Sequence, residues 1–255
     1  MASNVVSRRL LVLGGNGYVG QNIIHAAVKS KNFSEIRSLN RSGAPSSAST
    51  PDHLSQSLSA VKWIAGDVFD QAAREDAMSD DVDAVVSCVG AFGTNEFMQR
   101  VCGDATIAAL RTASDRGVST CAFVSSAQVY DGSMGLKLPP SAPMHGYFHG
   151  KLRAETELLR LYPERHVILR PGFIYGPRSV GGRTIPLQHV GGPLSFMGTQ
   201  LGPISGLLQS VPFVGTELSS MVPVEAVGRA MIKSLEGVTR GGKGLILDAN
   251  AIRNA

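Results

Sequence analysis

Residues 10 to 20 read LLVLGGNGYVG, from Leu10 to Gly20. The first four are wholly apolar, the pattern of a strand that a parallel sheet buries on both faces. Beyond the glycines, Val19, Ile23, Ile24, Ala27 and Val28 recur at helical spacing. A strand, a glycine turn and a helix in that order form a phosphate-binding corner, because the open amides of a helix N-terminus attract an anion. Gly14 allows the tight turn, Gly17 the close approach of a pyrophosphate, and Gly20 the packing of helix on strand. Asn16, Tyr18 and Val19 complete the expected contact surface. The spacing is G-x-x-G-x-x-G, not G-x-G-x-x-G, and a glycine triplet alone can be no more than a tight turn. Its place between strand and helix selects the dinucleotide reading.

Working outward, the same alternation continues. Ile36–Asn40, Val61–Ala65, Asp83–Val89, Thr120–Val124 and Leu245–Leu247 read as strands, and Glu96–Arg116 as a helix stopped by Gly117. This predicts an α/β chain with a doubly wound parallel sheet and a small appendage. The Ser-, Ala- and Pro-rich stretch 43–60 reads as a long surface loop with one helical turn at most.

About 20 residues past the glycines, NAD-binding folds place an acid on the ribose hydroxyls. Asn40, Arg41 and Ser42 stand there instead. An arginine at this place pairs with a 2′-phosphate and Ser42 adds a hydrogen bond, so NADP(H) is expected ahead of NAD(H). The plain alternative is a solvent-facing arginine at a strand end. Asp67, followed by Val68, is placed to meet an adenine amino group or to cap the next helix. Val89 and Gly90 end the fourth strand where backbone passes close to a cofactor.

The 255 residues carry 43% hydrophobic and 17% charged side chains, enough apolar mass for a well-covered sheet. The net charge of +4 is spread without a basic stripe, which argues against nucleic acid. No apolar run is long enough to span a membrane. Cys88, Cys102 and Cys121 lack metal spacing, as do the six histidines, so no metal is expected and the thiols read as free. The leading MASNVVSRR has two arginines but is too short for a targeting peptide, so a presequence has been removed or none existed.

After the fifth strand come Ser125-Ser126-Ala127-Gln128-Val129-Tyr130, then Tyr147-Phe148-His149-Gly150-Lys151. Tyr147 and Lys151 share one helical face at i, i+4. A phenol with pKa near 10 is a poor proton donor-acceptor at neutral pH, and an ammonium one turn away favours the phenolate. A serine hydroxyl at a strand's carboxyl end holds a carbonyl oxygen beside that phenol. Y-x-x-x-K alone occurs by chance; its value lies in following the glycine turn, the strands and the serine pair in order.

These segments, with RPGFIYGP at 170 to 177 and VPVEAVGRAM at 222 to 231, resemble the extended and atypical branches of the short-chain dehydrogenase/reductase superfamily over nearly the whole chain. The resemblance implies Ser126 rather than Ser125 as the catalytic serine and Tyr147 as the acid-base. It implies Lys151 as the group that lowers the phenol's pKa and bonds the nicotinamide ribose, with Pro171, Gly172, Phe173 and Ile174 lining the nicotinamide. It divides the chain into a dinucleotide-binding domain at 1–177, a substrate-covering segment at 178–220 and a return to the first domain at 221–255. More narrowly, GYFHGKLRAETELL and VILRPGFIYGPRSVGGRTIPL resemble plastid and mitochondrial members associated with coenzyme Q biosynthesis and, more distantly, the NADPH-binding accessory subunit of respiratory complex I. One departure is Arg100, which stands where extended enzymes carry the asparagine of a proton relay.

The expectation is an NADP(H)-dependent oxidoreductase of a carbonyl, alcohol or quinone-type substrate, on the mitochondrial matrix side or in a plastid. The alternative is a non-catalytic accessory subunit of a membrane complex. The apolar side chains from Phe196 to Val214 read as a cover packed on its own domain, with an isoprenoid, membrane or partner surface as the sharper reading.

Overall fold

The structure, a computed structural model, describes residues 8–79, 81–129, 138–180, 183–186 and 221–255. Seven parallel strands form its centre: β1 (Arg9–Leu13), β2 (Glu35–Asn40), β3 (Lys62–Ala65), β4 (Ala84–Ser87), β5 (Thr120–Val124), β6 (His166–Leu169) and β11 (Leu245–Leu247). Their order across the sheet is β11-β6-β5-β4-β1-β2-β3, every pairing parallel. This is the doubly wound α/β fold expected, with its order reversing between β1 and β4.

Side-chain alternation sorts the core onto two faces. Leu10 and Val12 of β1 join Ile23 and Ile24 of α1 (Tyr18–Ser30) and Val227 and Leu235 of α7 (Val224–Thr239). Leu11 and Leu13 join Leu110 of α5 (Ala105–Asp115) and Leu158 of α6 (His145–Leu161) on the other. All are at or near zero exposure, so a four-residue apolar run serves two cores at once.

Two expectations need correction. The stretch 43–60 contains α2 (Asp52–Leu58), whose Leu54 and Leu58 enter the core beneath α1. Two leucines at i, i+4 suffice to dock it, and the surrounding serines masked that signal. The predicted helix 96–116 is three pieces: α4 (Asn95–Gln99), a wider π-type turn at Arg100–Asp104, and α5. Cys88, Cys102 and Cys121 are free, the first half-buried and the other two buried.

Past β6 the chain makes short β7 (Ile174–Tyr175), paired with β10 (Val222–Pro223), and a hairpin of β8 (Pro177–Val180) and β9 (Arg183–Pro186). The apolar segment from Phe196 to Val214 and Tyr130 lie outside the described residues. The C-terminal α8 (Ala249–Arg253) buries Ile252.

Candidate active site

The glycine corner adopts the geometry its sequence calls for. Gly14 has φ +78°, and its amide donates to the Leu39 carbonyl of β2 at 3.1 Å. A Cβ on Gly20 would lie 2.4 Å from the Gly14 carbonyl oxygen, so only glycine lets α1 start this close to β1. Gly17 caps α1 without a side chain, leaving the first-turn amides of Tyr18, Val19 and Gly20 without intrahelical partners. Buried Gln21 braces the turn, its amide donating to the carbonyls of Asn16 at 2.9 Å and Ser49 at 3.1 Å.

Two cavities meet at this corner. The outer one, about 410 Å³, is lined by Gly14, Asn16, Asn40, Arg41, Ser42, Asp67 and Val68, among others. Asn16 bridges the glycine turn to the end of β2, donating to Ser42 Oγ at 2.8 Å. Asn40 is 8% exposed, and both polar atoms of its amide lack a partner within the protein. A buried amide with nothing to bond is costly unless a ligand completes it. Asp67 does not cap α3 (Gln71–Ala77); Asp70 does, accepting from Ala72, while Asp67 accepts from the amide of Phe69 at 3.0 Å. Arg100 lies over the Phe69 ring, 4.7 Å from its centroid, on the wall of this cavity.

The inner cavity, about 510 Å³, is lined by Ser125, Ser126, Tyr147 and Lys151 with Val89, Gly90 and Pro171 to Ile174, and it shares Gly17, Cys88 and Val89 to Ala91 with the outer one. The catalytic trio and the nicotinamide-lining segment named from sequence therefore face one space at the carboxyl ends of β1, β4 and β5. The loop after β5 is tied to the segment after β6: Ser125 donates from its amide to Leu169, and Ala127 to Pro171. The Ser126 hydroxyl donates to Gln128 Oε1, whereas the buried Ser125 hydroxyl has no partner within the protein.

Helix α6 brings Tyr147 and Lys151 to the wall because glycines let it approach. A Cβ on Gly146 would sit 1.9 Å from the Asn95 carbonyl oxygen, and one on Gly150 3.0 Å from the Gly103 nitrogen. Met144, at the start of the helix, is left-handed and offers no side-chain cap. Asn95 supplies the bond instead: its Oδ1 accepts from Gly146 N at 3.0 Å while its Nδ2 donates to the carbonyls of Pro140 and Ala142. Nothing local in the sequence marked Asn95.

Lys151 is 4% exposed; its Nζ donates to the Val124 carbonyl at 2.7 Å and lies 5.2 Å from the Tyr147 ring centroid. Burial pulls the ammonium below its ordinary value, with Cys102, Glu155 and Cys88 partly opposing. Burial and, secondarily, the Cys102 thiol push the Tyr147 phenol up. Both shifts favour the neutral forms, opposite in direction to what an ammonium at i, i+4 would do to a phenol in water. Phe92, which the sequence reading passed over, stacks on Tyr147 at 5.3 Å. Burial also pushes the Cys88 thiol, on the shared wall, up to about 12.

A family model described as "NAD dependent epimerase/dehydratase family" matches residues 10–190, spanning the glycine corner, both cavities and the hairpin. The chain belongs to that family. An uncharacterized chloroplastic protein of Arabidopsis thaliana is 38% identical over 236 residues, covering 92% of this chain and 74% of its own. The mitochondrial protein FMP52-2 of Scheffersomyces stipitis is 28% identical over 167 residues, covering 66% of each. Among solved structures, the Bordetella bronchiseptica enzyme WbmH in complex with NAD+ matches with TM-score 0.63 at 16% identity, covering 97% of this chain and 79% of that one. That likeness is one of fold.

Proposed function

We propose that this family member is an NADP(H)-dependent oxidoreductase of the short-chain dehydrogenase/reductase type, acting on a carbonyl, alcohol or quinone-type substrate in a mitochondrion or plastid. The observation that carries the reading is the shared cavity: Ser126, Tyr147 and Lys151 face one space that opens, across Gly17 and Gly90, into a second lined by Asn40 and Arg41.

The residues present fit a dinucleotide. The uncapped first turn of α1 suits a pyrophosphate, and the unpartnered Asn40 amide with Arg41 and Ser42 suits the adenosine ribose and its 2′-phosphate. Val89 and Pro171–Ile174 would hold the nicotinamide, which when bound would supply or accept hydride. The chain's own work is positional and protic. Ser126 holds the substrate oxygen, Tyr147 gives or takes the proton at that oxygen, and Lys151, with donors beyond the one spent on Val124, holds ribose hydroxyls. The organellar location rests on the mitochondrial and chloroplastic relatives. The preference for NADP(H) rests on Asn40, Arg41 and Ser42 standing where an acid would bond the ribose; the NAD+ in WbmH belongs to a protein alike in fold only.

Calorimetric titration of the wild type and of Arg41→Ala with NADPH and NADH tests the cofactor. A charged contact of roughly 1.5–3 kcal/mol corresponds to about tenfold to a hundredfold tighter NADPH, lost in the variant. Equal affinities, unchanged by the mutation, would remove the assignment. Tyr147→Phe then separates the functional classes. It should bind NADPH as before yet fail to replace the wild type in cells lacking the protein. Full rescue would move the reading to a cofactor-stabilised accessory subunit.

A further inference from the structure

Arg100 stands where the resemblance places the asparagine of a proton relay, yet it is not on the wall of the inner cavity with Tyr147 and Lys151. It lines the outer one. The wide turn at Arg100–Asp104 accounts for this. Its inner side is closed against α6: Cys102 and Gly103 are buried, and a Cβ on Gly103 would lie 2.9 Å from Gly150 Cα. Its first residue, Arg100, is exposed and turns to the outer cavity instead. A π-type turn carries one residue more than an α-turn, and such bulges recur at functional sites.

The guanidinium lies over the Phe69 ring, 4.7 Å from its centroid. Phe69 follows β3 and Arg100 follows β4, and β1 and β2 lie between those strands in the sheet. The contact therefore crosses the outer cavity from one bank to the other, above the carboxyl ends of β1 and β2. Phe69 takes one face of the planar cation, and as a wall residue Arg100 offers the remainder to the cavity. Beside Phe69 on the same wall stand Val68 and Asp67, whose carboxylate accepts from the Phe69 amide.

We infer that Arg100 is a positioning residue for the adenine of the dinucleotide, its guanidinium stacking on the base beside Asp67 and Val68 and holding the adenosine half between the two banks. The inference rests on the dinucleotide reading above. The face of a planar cation suits a flat π-system. A phosphate suits the place less well, because the Asp67 carboxylate would repel it, whereas the same carboxylate can accept from an adenine amino group. The 2′-phosphate is assigned above to Arg41 and Ser42, at the end of β2.

The test titrates the full chain, wild type and variants, with NADPH and NADH and records the melting temperature without ligand. Arg100→Ala should weaken both dinucleotides by the same factor, about threefold to thirtyfold. Its ligand-free melting temperature should stay within about 2 °C of the wild type, as for an exposed side chain. Arg100→Tyr, which stacks without charge, should recover part of the affinity. A loss confined to NADPH overturns the inference, since that assigns Arg100 to the 2′-phosphate, and so does recovery by Arg100→Lys but not by Arg100→Tyr. Affinities within about twofold of the wild type overturn it too, leaving Arg100 as a cover for Phe69. A larger fall in melting temperature alongside the lost affinity marks a structural role and overturns it as well. Where Arg100→Ala unfolds, Arg100→Gln is judged by the same two affinities. A wild type that binds neither dinucleotide fails at the earlier reading and takes this one with it, whereas wild-type binding indifferent to Arg100 removes this one alone.

Discussion

Glu155 on α6 and Arg170, directly after β6, form a buried ion pair, with side chains 3% and 11% exposed. Arg170 Nε reaches the two carboxylate oxygens at 3.1 and 3.2 Å, and Nη2 reaches Oε2 at 2.6 Å. The pair ties the helix carrying Tyr147 and Lys151 to the residue that precedes Pro171–Ile174, so it joins two walls of the inner cavity. Glu155→Ala leaves a guanidinium buried without its carboxylate, at a cost of about 3–5 kcal/mol. That is a large part of a total stability of about 5–15 kcal/mol. At roughly 2–4 °C per kcal/mol for a chain of this size, the melting temperature should fall by about 6–20 °C. Dinucleotide affinity should fall with it, because Pro171–Ile174, proposed above to hold the nicotinamide, loses its anchor.

The double variant Glu155→Leu/Arg170→Met decides whether the charge or the packing matters. A buried pair gains little over apolar groups of similar volume, because desolvation offsets most of the Coulomb attraction. The double variant should therefore be more stable than Glu155→Ala alone. Urea denaturation followed by circular dichroism measures all three proteins. A loss below about 1 kcal/mol in the single variant, or a double variant no better than the single, would refute the reasoning.

Asn95→Ala removes the remote cap of α6 and two donors to its lead-in loop, and should cost about 1–3 kcal/mol. Asn95→Asp keeps the acceptor for Gly146 and should lose less; equal losses in denaturation would mean that the cap contributes nothing. Hydrogen bonds from Arg160 and then Arg111 hold the Glu157 carboxyl down at about 2. A depressed folded value gives stability that is present above the ordinary value near 4.5 and is lost as pH falls towards 2. Glu157→Gln should flatten that acid limb, modestly because both arginines are largely exposed, and identical acid titrations of the two proteins would contradict it.

What could be read from sequence was whatever sits within one turn of its partner. Leu10 to Leu13 carried enough apolar density to announce a strand buried twice, and the glycine spacing marked the corner because Gly17 and Gly20 both answer the Gly14 carbonyl a few residues away. That Ser126, Tyr147 and Lys151 would line one space was legible for a related reason, since each ends or follows a locally recognisable element and the parallel topology gathers such ends. The π-type turn at Arg100–Asp104, the cap that Asn95 gives Gly146 across 51 positions, and Arg178 above Tyr18 left no spacing to find. They depend on chain segments that meet only once the sheet is wound.

The tyrosine–lysine pair shows why adjacency is not sufficient even where it is legible. Spacing establishes that an ammonium stands one turn from a phenol, and in water that would favour the phenolate. In the fold Lys151 is buried and Tyr147 is half-buried, and desolvation is the leading influence on each, raising one and lowering the other. The Lys151 charge is directed at the Val124 carbonyl. Under the function proposed above, a ligand that brings ribose hydroxyls and a carbonyl oxygen would change the surroundings of both groups at once, so the proton chemistry proposed for Tyr147 would belong to the assembled site rather than to the helix.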